Sequence, residues 1–121
     1  MHELSVARSL IEVACEAASR QGANRVVSLR VQIGALSSVV KEAIVFAFEI
    51  AAAGTACEGA TLLIDEIPVT AMCPRCGVAR ELRTSYDFSC AACGTMMSEI
   101  VAGRELDLVS LEIEADASAH C

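Results

Sequence analysis

Four cysteines stand in two tight pairs, Cys73-x2-Cys76 and Cys90-x2-Cys93, with thirteen residues between the pairs. Two residues between cysteines let one turn aim both thiolates at a single ion, and four thiolates suit a closed tetrahedral zinc site. Gly77 and Gly94 each follow the second cysteine of a pair. Glycine there tolerates the positive φ of a tight knuckle, so that backbone N–H groups can reach the sulfurs. With all four ligands from cysteine, no coordination position is left open for substrate. The expected role is therefore structural, and the chain is not expected to be an enzyme. The same thiolates could hold iron, as in a rubredoxin-like electron carrier. A thioredoxin-like redox pair needs only one C-x2-C and leaves the second pair unexplained.

A second candidate lies at the other end of the sequence. His2 directly follows Met1 and is the only histidine outside the tail. Its bulk should protect Met1 from removal. The amine of Met1, the amide nitrogen of His2 and the His2 imidazole can then wrap one ion in fused small chelate rings. The amide or carboxylate of Glu3, or a water, would supply a further ligand. A nitrogen-rich set of this kind suits Ni(II) or Cu(II). Taken alone, a histidine at position 2 is equally what an exposed terminus would carry.

The elements that must position these groups follow from composition and pattern. The chain has 121 residues, of which 55% are hydrophobic and only 3% aromatic, so its core must be built from aliphatic side chains. A formal charge of −7 disfavours binding to phosphate backbones. Seven cysteines, an odd number with four in C-x2-C pairs, point to metal in a reducing compartment rather than a secreted disulfide scaffold. MHELSVARSL lacks the features of a secretory signal, and no apolar run is long enough to span a bilayer. A cytoplasmic protein, not bound to membrane, is expected.

Val6, Leu10, Val13 and Ala17 recur at helical spacing, predicting a helix over about 5–21 that stops at Gly22. Val27, Leu29, Val31 and Ile33 alternate with polar residues or glycine as a half-buried strand. Ser38 is a candidate N-cap for a second helix with a buried stripe of Ile44, Ala47, Phe48 and Ala51, ended by Gly54. Residues 59–69 read as a strand that ends at, or is marked as an edge by, Pro68. In the closing strand, Arg104 to Glu114, the alternation slips between Leu108 and Val109. A bulge or burial on both faces would explain that slip.

The expected fold class is α+β: two helices packed on a small three-stranded sheet, with a zinc-ribbon-like four-cysteine module inserted before the last strand. The expected division is 1–69 with 103–114, then 70–102 for the module, and a frayed tail at 115–121. Below roughly 40 residues such a module needs a metal or disulfides to fold, so metal binding becomes folding energy. Its Arg75, Arg80 and Arg83 are balanced by Glu81, Asp87 and Glu99, which leaves no basic patch for nucleic acid.

MHELS at 1–5, IGALSSV at 33–39, FAFE at 46–49, GTACEGATL at 54–62, the paired CPRCG and CAACG, and ELDLVSLEIE together resemble the HypA/HybF family of hydrogenase nickel-incorporation proteins. The resemblance covers about residues 1–114. It implies a nickel domain of two helices and a three-stranded sheet, with a zinc domain inserted before the last strand. It implies Ni(II) bound at Met1, His2 and Glu3, with His2 supplying the essential imidazole. It also implies two partners: a GTPase that loads nickel, and the large subunit of nickel–iron hydrogenase. Some members also serve urease. A metallochaperone, monomeric or weakly dimeric, is the expectation, against a zinc-ribbon interaction module without transferable metal. Some relatives carry histidines beside the zinc cysteines; this chain has none there, and it has Val40 where some carry an acidic residue. Of the remaining candidates, Cys15 reads as a small buried residue and Cys57 as a spare loop thiol. Met96 and Met97 read as packing, and His120 with Cys121 as part of the tail.

Overall fold

A computed structural model describes residues 3–84 and 86–115 of the chain. Of the expected frayed tail only Ala115 is described; the rest, with His120 and Cys121, lies outside the described residues, as do Met1 and His2. The order of elements is α1 (Glu3–Arg20), β1 (Arg25–Gly34), a 3-10 turn (Ala35–Ser37), α2 (Lys41–Ala52), β2 (Thr61–Ile67), β3 (Thr70–Met72), β4 (Ala79–Glu81), β5 (Glu99–Ala102) and β6 (Leu106–Glu114). They form two three-stranded sheets, ordered β2-β1-β6 and β4-β3-β5. The architecture is α+β; the closing strand rejoins the first sheet, as expected, and lies beside β1. No helix among the described residues is long and apolar enough to cross a membrane.

The chain divides into two compact units. The first takes residues 3–31, 39–64 and 108–115 of the described chain; the second takes 32–38 and 65–107. In the first, α1 and α2 pack on one another. Helix α1 begins at Glu3 rather than Ser5, which places an acidic residue in its first turn, where the helix dipole favours it. Its buried face is Val6, Ala7, Leu10, Ile11, Ala14 and Ala18. The expected stripe is rotated: Val13 is 54% exposed, and alanines take the close approach instead. Small alanine side chains let the helix come nearer its neighbours than valine would. Phe48 is the one aromatic buried in this core, with Leu29, Ile44, Val26 and Val31 as its other large members, so the core is aliphatic as the composition requires.

Helix α2 starts later than predicted. Ser38 is not its N-cap; it sits in the left-handed region (φ 66) and ends the 3-10 turn. The cap position is Val40, which offers no side-chain acceptor. Instead the Val40 N–H donates to Oε2 of Glu3 at 3.3 Å. A carboxylate from the start of α1 thus sits at the positive end of α2. The buried residues of α2 are Ile44, Ala47, Phe48 and Ala52, with Ala51 half-buried. In β6 the slip is resolved by two successive exposed residues, Val109 and Ser110, between the half-buried Leu108 and Leu111. That favours a local irregularity over burial on both faces.

The second unit has a small core of Val69, Ala71, Cys73, Leu82, Cys90 and Met97. Burial of Met97 agrees with its expected packing role, whereas Met96 is 68% exposed. Here β3 pairs antiparallel with both β4 and β5. The strand expected over 59–69 ends at Ile67, and Pro68 separates β2 from β3. The segment after β1 is pinned by close backbone approach: Gly34 N–H donates to Glu105 O and Leu36 N–H to Gly103 O, each at 2.7 Å. A Cβ on Gly34 would lie 2.1 Å from the Gly103 carbonyl oxygen, a backbone atom that cannot turn away. Gly34→Ala is therefore expected to destabilise the protein by about 2–4 kcal/mol. Gly22→Ala, where nothing lies within 4 Å of the added atom, meets only the left-handed backbone penalty of about 1–2 kcal/mol. Urea unfolding of the two variants measures the difference.

Candidate metal centre

The two C-x2-C turns bring their sulfurs together. One ligand atom each from Cys73, Cys76, Cys90 and Cys93 lies within 4.8 Å of all the others. The Sγ–Sγ separation is 3.5 Å for Cys73 and Cys93, and 3.9 Å for Cys76 and Cys90. A tetrahedron with arms of about 2.3 Å, the usual Zn–S bond, has edges of about 3.8 Å. The two measured separations lie near that edge, and a small inward movement of the sulfurs closes the set on a four-coordinate thiophilic ion. Cys73 and Cys90, the first of each pair, are buried; Cys76 and Cys93 are half-buried.

Local backbone geometry explains the fit. In the first knuckle Gly77 N–H bonds to Cys73 O at 2.8 Å, Cys76 N–H reaches Cys73 Sγ at 3.3 Å, and Gly77 has φ 72. The second repeats the pattern, with Gly94 N–H to Cys90 O at 2.8 Å and Gly94 at φ 77. Both glycines take the conformation expected for them from the sequence. Each knuckle is closed on its own flank, by Cys73 N–H to Val78 O (3.0 Å) and by Cys90 N–H to Thr95 O (2.8 Å).

The electrostatics divide the thiols. The Thr95 hydroxyl, 3.2 Å from Cys93 Sγ, and the Thr95 N–H favour the Cys93 thiolate and pull it down to about 6. The N–H groups of Cys93 and Ala92 lower Cys90. Cys76 goes the other way. Arg80 favours its thiolate, but proton sharing with Cys93 and Cys73 outweighs this and pushes it up to about 11. Four sulfurs this close cannot all carry charge without a cation among them. Arg80 is raised by its contact with Cys76, and its Nε is buried without a hydrogen-bond partner. The sequence balances the module's arginines against carboxylates only in total charge; Arg83 meets Asp87 at 3.8 Å, and Arg80 faces thiols. Pattern reading missed Arg80 because its spacing from the cysteines carries no motif.

The N-terminal candidates are only partly described. Of the three residues, Glu3 alone has a described position, at the start of α1 with its carboxylate on the Val40 N–H. The remaining thiols hold a further difference from expectation. Cys57 lies in a loop as expected but is fully buried, and its Sγ lies 3.8 Å from that of the half-buried Cys15. Burial first, then the neighbouring Cys15, push Cys57 up to about 12.

The chain matches the family model described as "Hydrogenase/urease nickel incorporation, metallochaperone, hypA" over residues 1–113. It is 44% identical over 116 residues to the hydrogenase maturation factor HypA of Roseiflexus sp. (strain RS-1), covering 96% of this chain and 94% of that protein. It is 42% identical over 114 residues to the protein of that name from Geobacter sulfurreducens, covering 94% of this chain and 100% of that protein. The fold is similar to the solution structure of the nickel metallochaperone HypA from Helicobacter pylori, with TM-score 0.67, 30% identity, and coverage of 96% and 100%.

Two outcomes follow. Stripping the metal with a strong chelator is expected to abolish amide-exchange protection in β3, β4 and β5 while α1 and α2 keep theirs, read by hydrogen-exchange mass spectrometry. Cys57 yields a pH effect of defined sign. Its folded pKa is raised, so its contribution to stability is fully present below the unfolded value near 8.5 and is lost as pH rises toward about 12. The unfolding free energy of wild type, from urea titrations, should fall more steeply above pH 8.5 than that of Cys57→Ala, by at most about 1.4 kcal/mol per pH unit.

Proposed function

Because the chain belongs to the HypA family of nickel-incorporation metallochaperones, which act in hydrogenase maturation, we propose that it is a non-catalytic carrier of Ni(II). It captures the ion at its N-terminus and passes it on by ligand exchange. The single observation that carries this reading is the family match across residues 1–113, which includes the MHE sequence at 1–3. The nickel ligands are the amine of Met1, the amide nitrogen and imidazole of His2, and a contribution from Glu3. Nitrogen donors in small fused rings suit Ni(II), and an ion held by a few ligands at a chain end can be surrendered stepwise. The Glu3 carboxylate has a task of its own on the Val40 N–H. Glu3 can serve nickel through its amide nitrogen without leaving that contact.

The four clustered thiolates hold zinc as a structural ion: Cys73, Cys76, Cys90 and Cys93 close the coordination sphere. When bound, the ion supplies charge neutralisation and a cross-link between the two knuckles. Thr95, the knuckle N–H groups and Arg80 stabilise the thiolates that receive it. The delivery partners are a nickel-loading GTPase and the large subunit of nickel–iron hydrogenase, in the cytoplasm, with the carrier acting as a monomer or weak dimer.

The test is a Ni(II) titration of untagged, zinc-loaded chain beginning at Met1, beside His2→Ala, following d–d absorption and bound metal by native mass spectrometry. Wild type is expected to bind about one nickel per chain, and His2→Ala to lose nickel while keeping zinc. Equal binding by both, or by neither, would leave a zinc-ribbon interaction module without transferable metal as the better account.

A further inference from the structure

Cys15 and Cys57 belong to neither metal site, yet the fold brings them together across 42 residues of sequence, with Sγ–Sγ at 3.8 Å. One lies on α1; the other lies in the loop that follows α2. That loop is held on both sides of Cys57. Its N–H bonds to Thr55 Oγ1 at 3.1 Å, its carbonyl accepts from Ala60 N–H at 2.9 Å, and Thr55 Oγ1 donates back to Ala52 O at 2.7 Å. A disulfide bond is about 2.05 Å long, so closure requires the sulfurs to approach by about 1.8 Å. With the Cys57 loop tethered by these bonds, the approach falls to the Cys15 side chain.

We propose that Cys15 and Cys57 form an oxidisable dithiol, a disulfide modification site that cross-links α1 to the loop after α2. Access sets the order of events. Cys57 is 0% exposed, whereas Cys15 retains contact with solvent. The co-reactant is a low-molecular-weight disulfide. The Cys15 thiolate attacks one of its sulfurs, forming a mixed disulfide and releasing one small thiolate, which takes up the proton that Cys15 lost. Cys57 then gives its proton to solvent and attacks the Cys15 sulfur, expelling the second small thiolate, which is protonated in turn. Two protein thiols are oxidised to one disulfide, and one small disulfide is reduced to two thiols. Burial keeps most of Cys57 protonated, so closure runs through its small thiolate fraction onto a mixed disulfide formed at the neighbouring Cys15. The pair is thereby slow to oxidise in a reducing milieu and closes once Cys15 has been tagged.

The experiment treats the full-length, metal-loaded protein in a Cys121→Ser background with hydroxyethyl disulfide. Intact mass, peptide mapping and thermal midpoint are followed. Wild type at positions 15 and 57 is expected to lose two mass units with no retained adduct, to yield a linked Cys15–Cys57 peptide, and to melt on the order of 10 °C higher. Cys57→Ala should stop at a stable adduct on Cys15, and Cys15→Ala should leave Cys57 unmodified. The proposal is overturned if the parent protein stays reduced, if it retains the adduct on Cys15, or if Cys57 reacts equally fast when Cys15 is absent.

Discussion

Everything in the second unit depends on four sulfurs being close enough that they cannot all be charged at once. Its core contains only a handful of apolar side chains, and two of its fully buried positions, Cys73 and Cys90, are themselves thiols. A patch this small does not bury enough surface to offset the entropy of ordering three short strands. A cation among the sulfurs removes their mutual repulsion and joins the two knuckles in one step. The details around it serve that event. Thr95 and the knuckle N–H groups favour thiolate on Cys93 and Cys90, Arg80 does so for Cys76, and Gly77 and Gly94 permit the turns that aim them.

The first unit obeys a different constraint, an aliphatic core assembled from two short helices and strands with almost no aromatic bulk. Alanines on α1 and α2 permit close packing, and Phe48 fills the largest volume. The Glu3–Val40 contact ties the start of α1 to the start of α2 with a charge-assisted bond, replacing a cap that the sequence of α2 lacks. That contact also fixes Glu3, the one residue of the nickel proposal with a described position.

The parts legible in the sequence are those set by local spacing. The C-x2-C pairs, the glycines after them and the alternation of Leu29, Val31 and Ile33 in β1 follow from short-range pattern, and the last strand returns to the first sheet because a lone strand cannot bury its apolar face. What was hidden depends on groups distant in sequence. Ser38 looks like a cap but is turned left-handed to end a 3-10 turn, and the real partner of the α2 N-terminus is Glu3, thirty-seven residues away. Val13 fits the helical stripe, but alanines pack closer, so the helix rotates away from it. No periodicity connects Cys15 with Cys57 or Arg80 with Cys76. The N-terminal chelate could be read from the chemistry of Met1, His2 and Glu3, but only likeness to a family set it apart from an ordinary exposed terminus.

The most direct test of the central claim is X-ray absorption at the zinc edge, with metal stoichiometry, on the protein as purified. Assembly of the second unit around four thiolates predicts one zinc per chain and a shell of four sulfurs at about 2.3 Å, with no nitrogen or oxygen scatterer. A mixed shell containing imidazole or water, or a folded second unit with no metal at all, would contradict it.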